Sequence, residues 1–172
     1  MAATYVLLQF GDDSFSHRFE DLESRPAFTV YAHELPTIVV QVAREPEWSQ
    51  QHPDIMGPNN AYLYFGPNKS RGFLVYGNGK EVPMAHQIRQ KKDSSTSRYF
   101  TTQHGKELKW KIFPQKMECV DGRTTVATWE LSQPEDVFNA RLTIRHAGLC
   151  VVTEILTTLT LNRMAMALNW QT

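Results

Sequence analysis

The sequence predicts a mainly β protein built around one buried apolar segment close to its C-terminus. Three observations carry this. Strand-like period-two patterns fill the second half of the chain: Leu108, Trp110 and Ile112 alternate with Lys109 and Lys111; Thr124, Val126 and Thr128 stand against Thr125, Ala127 and Trp129; and Phe138, Ala140, Leu142 and Ile144 alternate cleanly with Asn139, Arg141, Thr143 and Arg145. Turn signals at His104-Gly105, Asp121-Gly122 and residues 133–136 separate these runs, as in an antiparallel meander. Residues 149–161 then carry a single charge, Glu154, and such a segment must be buried.

Taken in order, residues 4–10 are dense in β-formers and read as a first strand ending at the turn residues Gly11-Asp12-Asp13. Residues 14–22 place Phe15, Phe19 and Leu22 at helical spacing, residues 28–31 are β-rich, and residues 38–42 form an apolar run suited to a strand buried on both faces. Between residues 44 and 60 periodicity collapses around Pro46, Pro53 and Pro58, so this is a loop, with Trp48, Ile55 and Met56 as apolar anchors for an ordered flap. Residues 61–65 and 72–76 are short aromatic strands; Gly77-Asn78-Gly79 supplies a tight turn and residues 80–89 the returning strand. Residues 90–98 are polar, an exposed loop and the best proteolysis site. In the closing segment Val152, Ile155, Leu156 and Leu159 share one helical face, while Thr153, Thr157, Thr158 and Thr160 can return hydroxyls to the helix's own carbonyls. A helix is the preferred reading; a buried strand is the alternative, because threonine and valine also favour strands. The segment is shorter than the about 20 apolar residues of a membrane span, so its apolar surroundings come from the protein.

A chain of 172 residues suits one domain, and 18 basic against 18 acidic residues exclude bulk attraction to nucleic acid or an anionic membrane. The start, Met-Ala-Ala-Thr-Tyr-Val, lacks the features of a secretory leader, and no segment reads as transmembrane, so a cytoplasmic location is expected. Cys119 and Cys150 lack the spacing of a metal or redox site and read as buried free thiols.

Phe100-Thr-Thr-Gln-His-Gly-Lys-Glu-Leu-Lys-Trp-Lys-Ile, Met117-Glu-Cys-Val-Asp-Gly, Val126-Ala-Thr-Trp, and Leu142-Thr-Ile followed by the apolar segment with Asn162-Arg163 at its end resemble an uncharacterised small domain family of mushroom-forming (basidiomycete) fungi. That family is similar to the tubby and LURP-one-like group. The resemblance implies a tubby-like antiparallel β-barrel or strongly curved sheet wrapped around a C-terminal apolar helix. The chain itself reads as one domain over residues 1–172, with a proline-rich flap at 45–60 and a buried apolar helix near 149–163. In that group some domains bind phosphoinositide head groups through basic residues outside the barrel, and others are scramblase-like or have no assigned activity. The flap and the continuation through residues 164–170 depart from the family pattern, and no position matches a binding motif closely enough to transfer a residue.

The six histidines are dispersed without metal-ligand spacing; His104 and His146 read as solvated turn residues, and no nucleophile elbow or phosphate loop is present. No catalytic residue, metal or cofactor is assigned. Positive charge clusters at Arg89, Lys91, Lys92, Arg98, Lys106, Lys109 and Lys111, a candidate site for an anionic ligand, although outward lysines also protect strand edges. Trp48, with Tyr62, Tyr64 and Tyr76, can line a pocket for a carbohydrate or apolar ligand, although aromatic strand residues usually belong to the core. The expected function is a non-enzymatic binding module for an anionic lipid head group, another small ligand or a protein partner. One alternative is an enzyme assembled under the 45–60 flap from histidines and carboxylates; the other is a homo-oligomeric structural protein.

Overall fold

The computed structural model describes residues 4–34 and 36–170; Met1–Ala3, part of the stretch read for a leader, lie outside them. Turn residues break the β-forming runs into strands β1 (Thr4–Asp13), β2 (Ser16–Asp21), β3 (Pro26–His33), β4 (Val39–Arg44), β5 (Asn60–Tyr64), β6 (Phe73–Tyr76), β7 (Val82–Pro83), β8 (Arg98–Thr101), β9 (Glu107–Phe113), β10 (Lys116–Asp121), β11 (Thr124–Leu131) and β12 (Ala140–Arg145), with helices α1 (Pro46–Gln51) and α2 (Val152–Ala167). The strands form one antiparallel sheet in the order β7-β6-β5-β4-β3-β2-β1-β12-β11-β10-β9-β8. Two meanders therefore run outward from a central pair that joins the first strand to the last, in register from Thr4↔Arg145 to Gln9↔Ala140. The sheet is strongly curved rather than closed, and β7 and β8 are its ends.

Its concave face encloses α2. Residues Val152 to Asn162 are buried without interruption, so this helix has no polar face. Burial of that kind requires every polar side chain to find a partner. Thr157, Thr158 and Thr160 donate to the carbonyls four residues back at 2.7, 2.8 and 2.8 Å, and Asn162 Nδ2 does the same to Thr158 at 2.8 Å. Thr158 Oγ1 also accepts from the buried Trp110 indole at 2.8 Å, fastening the helix to β9.

Several expectations are corrected. Residues 14–22 are not helical: pairing with β1 (Gln9↔Phe19) makes them β2, whose inward residues are His17, Phe19 and Asp21, and Leu22 lies in solvent. The first strand runs on to Asp13 because Gly11, at φ 100°, absorbs a bulge where a Cβ would meet His17 Cβ at 3.2 Å. Residues 38–42 are not buried on both faces, since only Val40, Val42 and Arg44 of β4 point inward. The returning strand at 80–89 is just β7; beyond Pro83, which has no N–H for a ladder, Met84–Ile88 turns into a 3-10 helix. Cys119 is buried, whereas Cys150 is exposed, as is Met56. The C-terminal helix begins at Val152, after a 3-10 turn His146–Val151, and extends to Ala167. Together these make 22 helical residues containing an 18-residue window of mean hydropathy 1.2, so length does not separate this segment from a membrane span; 78% of that window is buried inside the protein.

Ile155, fully buried, tests the enclosure. Ile155→Asp places an unpaired carboxylate in the core at a cost of several kcal/mol, comparable to a domain's whole stability of about 5–15 kcal/mol. Circular dichroism should show no cooperative melt; a melt at the parent temperature would contradict the packing.

Candidate functional site

The two ends of the sheet meet at a seam that side chains, rather than a continuous ladder, hold shut. Along β8 and beyond it, alternate backbone groups at Tyr99, Thr101 and Gln103 face outward. Tyr99 exchanges a backbone pair with Arg89, N–H to O at 2.7 and 3.0 Å. Two residues on, the Gln87 amide replaces a strand: its Nε2 donates to Thr101 O at 3.2 Å and its Oε1 accepts from Thr101 N–H at 3.1 Å. At the third position the Gln103 N–H donates to Glu154 Oε2 at 2.9 Å. Each outward N–H of the edge is thus capped, which blocks pairing with another chain.

Glu154 is the third residue of α2, where a carboxylate faces the unpaired N–H groups of the first helical turn. It is 2% exposed. Burial raises its pKa above the ordinary carboxylate range, against the opposing pull of the Gln103 N–H and nearby His104.

Where β7 stops, the seam opens into a cavity of about 390 Å³ lined by Tyr76, Val82, Pro83, Gln87, Thr101 and Gln103, with Thr102 beside them and Lys80, Glu81 and His86 toward the rim. Tyr76 is the deep part of this lining, 3% exposed, and its hydroxyl has no hydrogen-bond partner among the described residues. Burial and the Glu154 carboxylate push its pKa up, so the hydroxyl stays protonated. An orphaned buried hydroxyl costs about 1–3 kcal/mol, and one that lines a cavity can be satisfied by what enters it.

The 45–60 flap is ordered and docked. Within it, α1 buries Trp48 against the rings of Tyr5, Phe28 and His52, and Tyr5 donates to Asp54 at 2.8 Å. Arg44, buried without a carboxylate partner among the described residues, donates to Met56 O, Gly57 O and Asn59 Oδ1. Met56 N–H to Leu149 O and Thr153 Oγ1 to Pro58 O fix the flap to the start of the helical segment.

Of the residues selected from the sequence, Trp48 lies in the core. Its indole N–H is also unpaired among the described residues, but it is enclosed by rings. The basic residues do gather near β8 and β9, yet much of their charge is matched. Arg89 and Lys91 both pair with Glu107, at 2.7 and 2.6 Å, and Lys106 pairs with Asp121 at 2.5 Å. Lys91 and Lys109 lie over the Tyr99 ring, Lys111 sits opposite Glu118 in the ladder, and Arg98 donates to the Ser95 and Ser97 carbonyls. Lys92 is exposed. Sequence reasoning offered Tyr76 as one of several aromatic residues for a pocket or the core, and missed the seam residues Gln87, Gln103 and Glu154 around it. Their one legible signal was Glu154, alone in an apolar run. Among the described residues no three His, Cys, Asp or Glu side chains could hold a metal ion.

A curved antiparallel sheet, clasped end to end around a buried C-terminal helix, defines a class of mainly β, helix-enclosing proteins. Residues 33–164, which include the whole seam, match the family of unknown function DUF6593, and the chain belongs to that family. No curated protein and no solved structure matches it.

Two outcomes are expected. Because the folded state binds the Glu154 proton more tightly than the unfolded state, this residue's contribution to stability is greatest below the usual value of 4.5 and is lost as pH rises from there through the raised folded value. Denaturant titrations of the parent and Glu154→Gln across that window should show a fall that is shallower in the variant; equal slopes would mean the carboxyl is not held in its buried setting. Limited proteolysis should cut the exposed residues 91–94 before residues 50–54 of the docked flap, and the reverse order would contradict the anchoring described.

Proposed function

We propose that the protein is a non-enzymatic binding module that holds a small ligand in the seam cavity between β7 and β8. The observation that carries this reading is the buried, unpartnered Tyr76 hydroxyl lining a cavity of about 390 Å³, which falls within the usual size range of small-molecule sites. The neighbouring side chains offer hydrogen bonds beside the apolar Val82 and Pro83. Kinship with the tubby-like group of fungal domains belongs to the same reading, supported by the wrapped sheet and its enclosed helix.

A second reading, an anionic lipid head group at the basic face, draws on the exposed Lys92 and on Lys109 and Lys111, which no described carboxylate engages through a salt bridge. It predicts binding to phosphoinositide vesicles that falls steeply with salt and is absent on neutral vesicles.

Tyr76→Phe separates the ligand role from a structural one. If the hydroxyl is reserved for a ligand, its removal leaves the melting temperature unchanged or raises stability by about 1 kcal/mol. A fragment screen read by amide chemical shifts should give hits that move Gln87, Thr101 and Gln103 and bind the variant about tenfold more weakly. Destabilisation by Tyr76→Phe, or hits only on the lysine face, would remove the seam reading.

A further inference from the structure

Resting on the reading that the seam cavity is a ligand site, we infer that its ligand is an uncharged, polyhydroxylated small molecule, a sugar or polyol, and not an anion. The hydrogen-bonding sense of the lining argues this. Thr101 Oγ1 already accepts from the Arg89 guanidinium at 3.3 Å, and Thr102 Oγ1 already accepts from Lys106 N–H at 3.2 Å. Their own protons are then the groups available to a ligand. The Tyr76 hydroxyl supplies another, and Gln103 places a side-chain amide beside Gly79, whose Cβ position lies 3.2 Å from Gln103 Nε2. Gln87 is buried, and its amide is held in place by the bonds at both of its ends to Thr101. The cavity therefore presents several donors to clustered oxygen acceptors, and hydroxyls answer both a donor and an amphoteric phenol.

Donors alone would also suit a phosphate or carboxylate, so charge decides between them. Glu154 lies close enough to Tyr76 for its field to be felt there, and Gln103 binds the same carboxylate. Lys80 and Glu81 place one charge of each sign at the exposed rim, His86 Nδ1 is engaged by Arg89, and Arg89 is turned toward Glu107, which it shares with Lys91. A ligand anion would enter a partly desolvated site whose deep wall, Tyr76 and Gln103, lies near a buried carboxylate, while the lysine of the lining, Lys80, stays at the exposed rim beside Glu81. A neutral ligand escapes that penalty.

The test titrates the full chain, as parent and as Tyr76→Phe, with D-glucose, myo-inositol and glucose 6-phosphate, and with an uncharged aromatic fragment set, reading amide shifts at Gln87, Thr101 and Gln103. Saturable shifts with a neutral sugar or polyol, at least tenfold weaker with glucose 6-phosphate and at least tenfold weaker in Tyr76→Phe at an unlowered melting temperature, are expected. Equal or tighter binding of glucose 6-phosphate overturns the inference while the seam remains a ligand site. So do aromatic fragments seated at the seam without any sugar. No seam shift with any probe overturns both.

Discussion

The hydroxyls and amide that α2 turns back onto its own carbonyls allow a helix to be buried on every side, and the architecture follows from that burial. A conventional amphipathic helix needs cover over one face only. Here residues Val152 to Asn162 leave no face for water, so the sheet must reach around the whole circumference. Twelve strands do so, and the Trp110 indole, bonded to Thr158, sets where the helix sits against them.

A sheet that curls around a helix without closing brings two edges together, and the manner of their meeting creates the site. β7 is only Val82–Pro83, whereas the edge led by β8 runs from Arg98 to Thr101 and on to Gln103 beyond it. The missing partner is replaced piecewise by the Arg89 backbone, the Gln87 amide and the Glu154 carboxylate. This arrangement satisfies the β8 edge but leaves unfilled the volume that a longer β7 would occupy. The cavity and the orphaned Tyr76 hydroxyl lie there, and Glu154 connects that space to the first turn of α2.

Much of the fold was legible because burial on one face of a strand writes itself as alternation. Trp110, Leu142 and Ile144 could be placed inward from their neighbours alone, and the helical spacing of Val152, Ile155 and Leu159 outweighed the β preference of the threonines. Legibility failed where long-range pairing overrode local pattern. Phe15, Phe19 and Leu22 are spaced as in a helix, but pairing with β1 and β3 makes the segment a strand. Residues 80–89 are apolar enough for a strand, yet Pro83 and the curvature of the sheet turn them into a 3-10 helix. The site was the least legible part. Tyr76, Gln87, Gln103 and Glu154 are brought together only by seam closure, and a glutamine that imitates a strand carries no sequence signature.

The central claim is that sheet closure and helix burial are one cooperative event, and native-state hydrogen exchange measures it directly. The account predicts that amides of Leu156 to Leu161 exchange only through global unfolding, with the same free energy as the central β1–β12 pair, because Val152 to Asn162 are shut away from water while the seam is closed. Exchange of those helix amides through a cheaper, local opening, with the β1–β12 pair still protected, would contradict it.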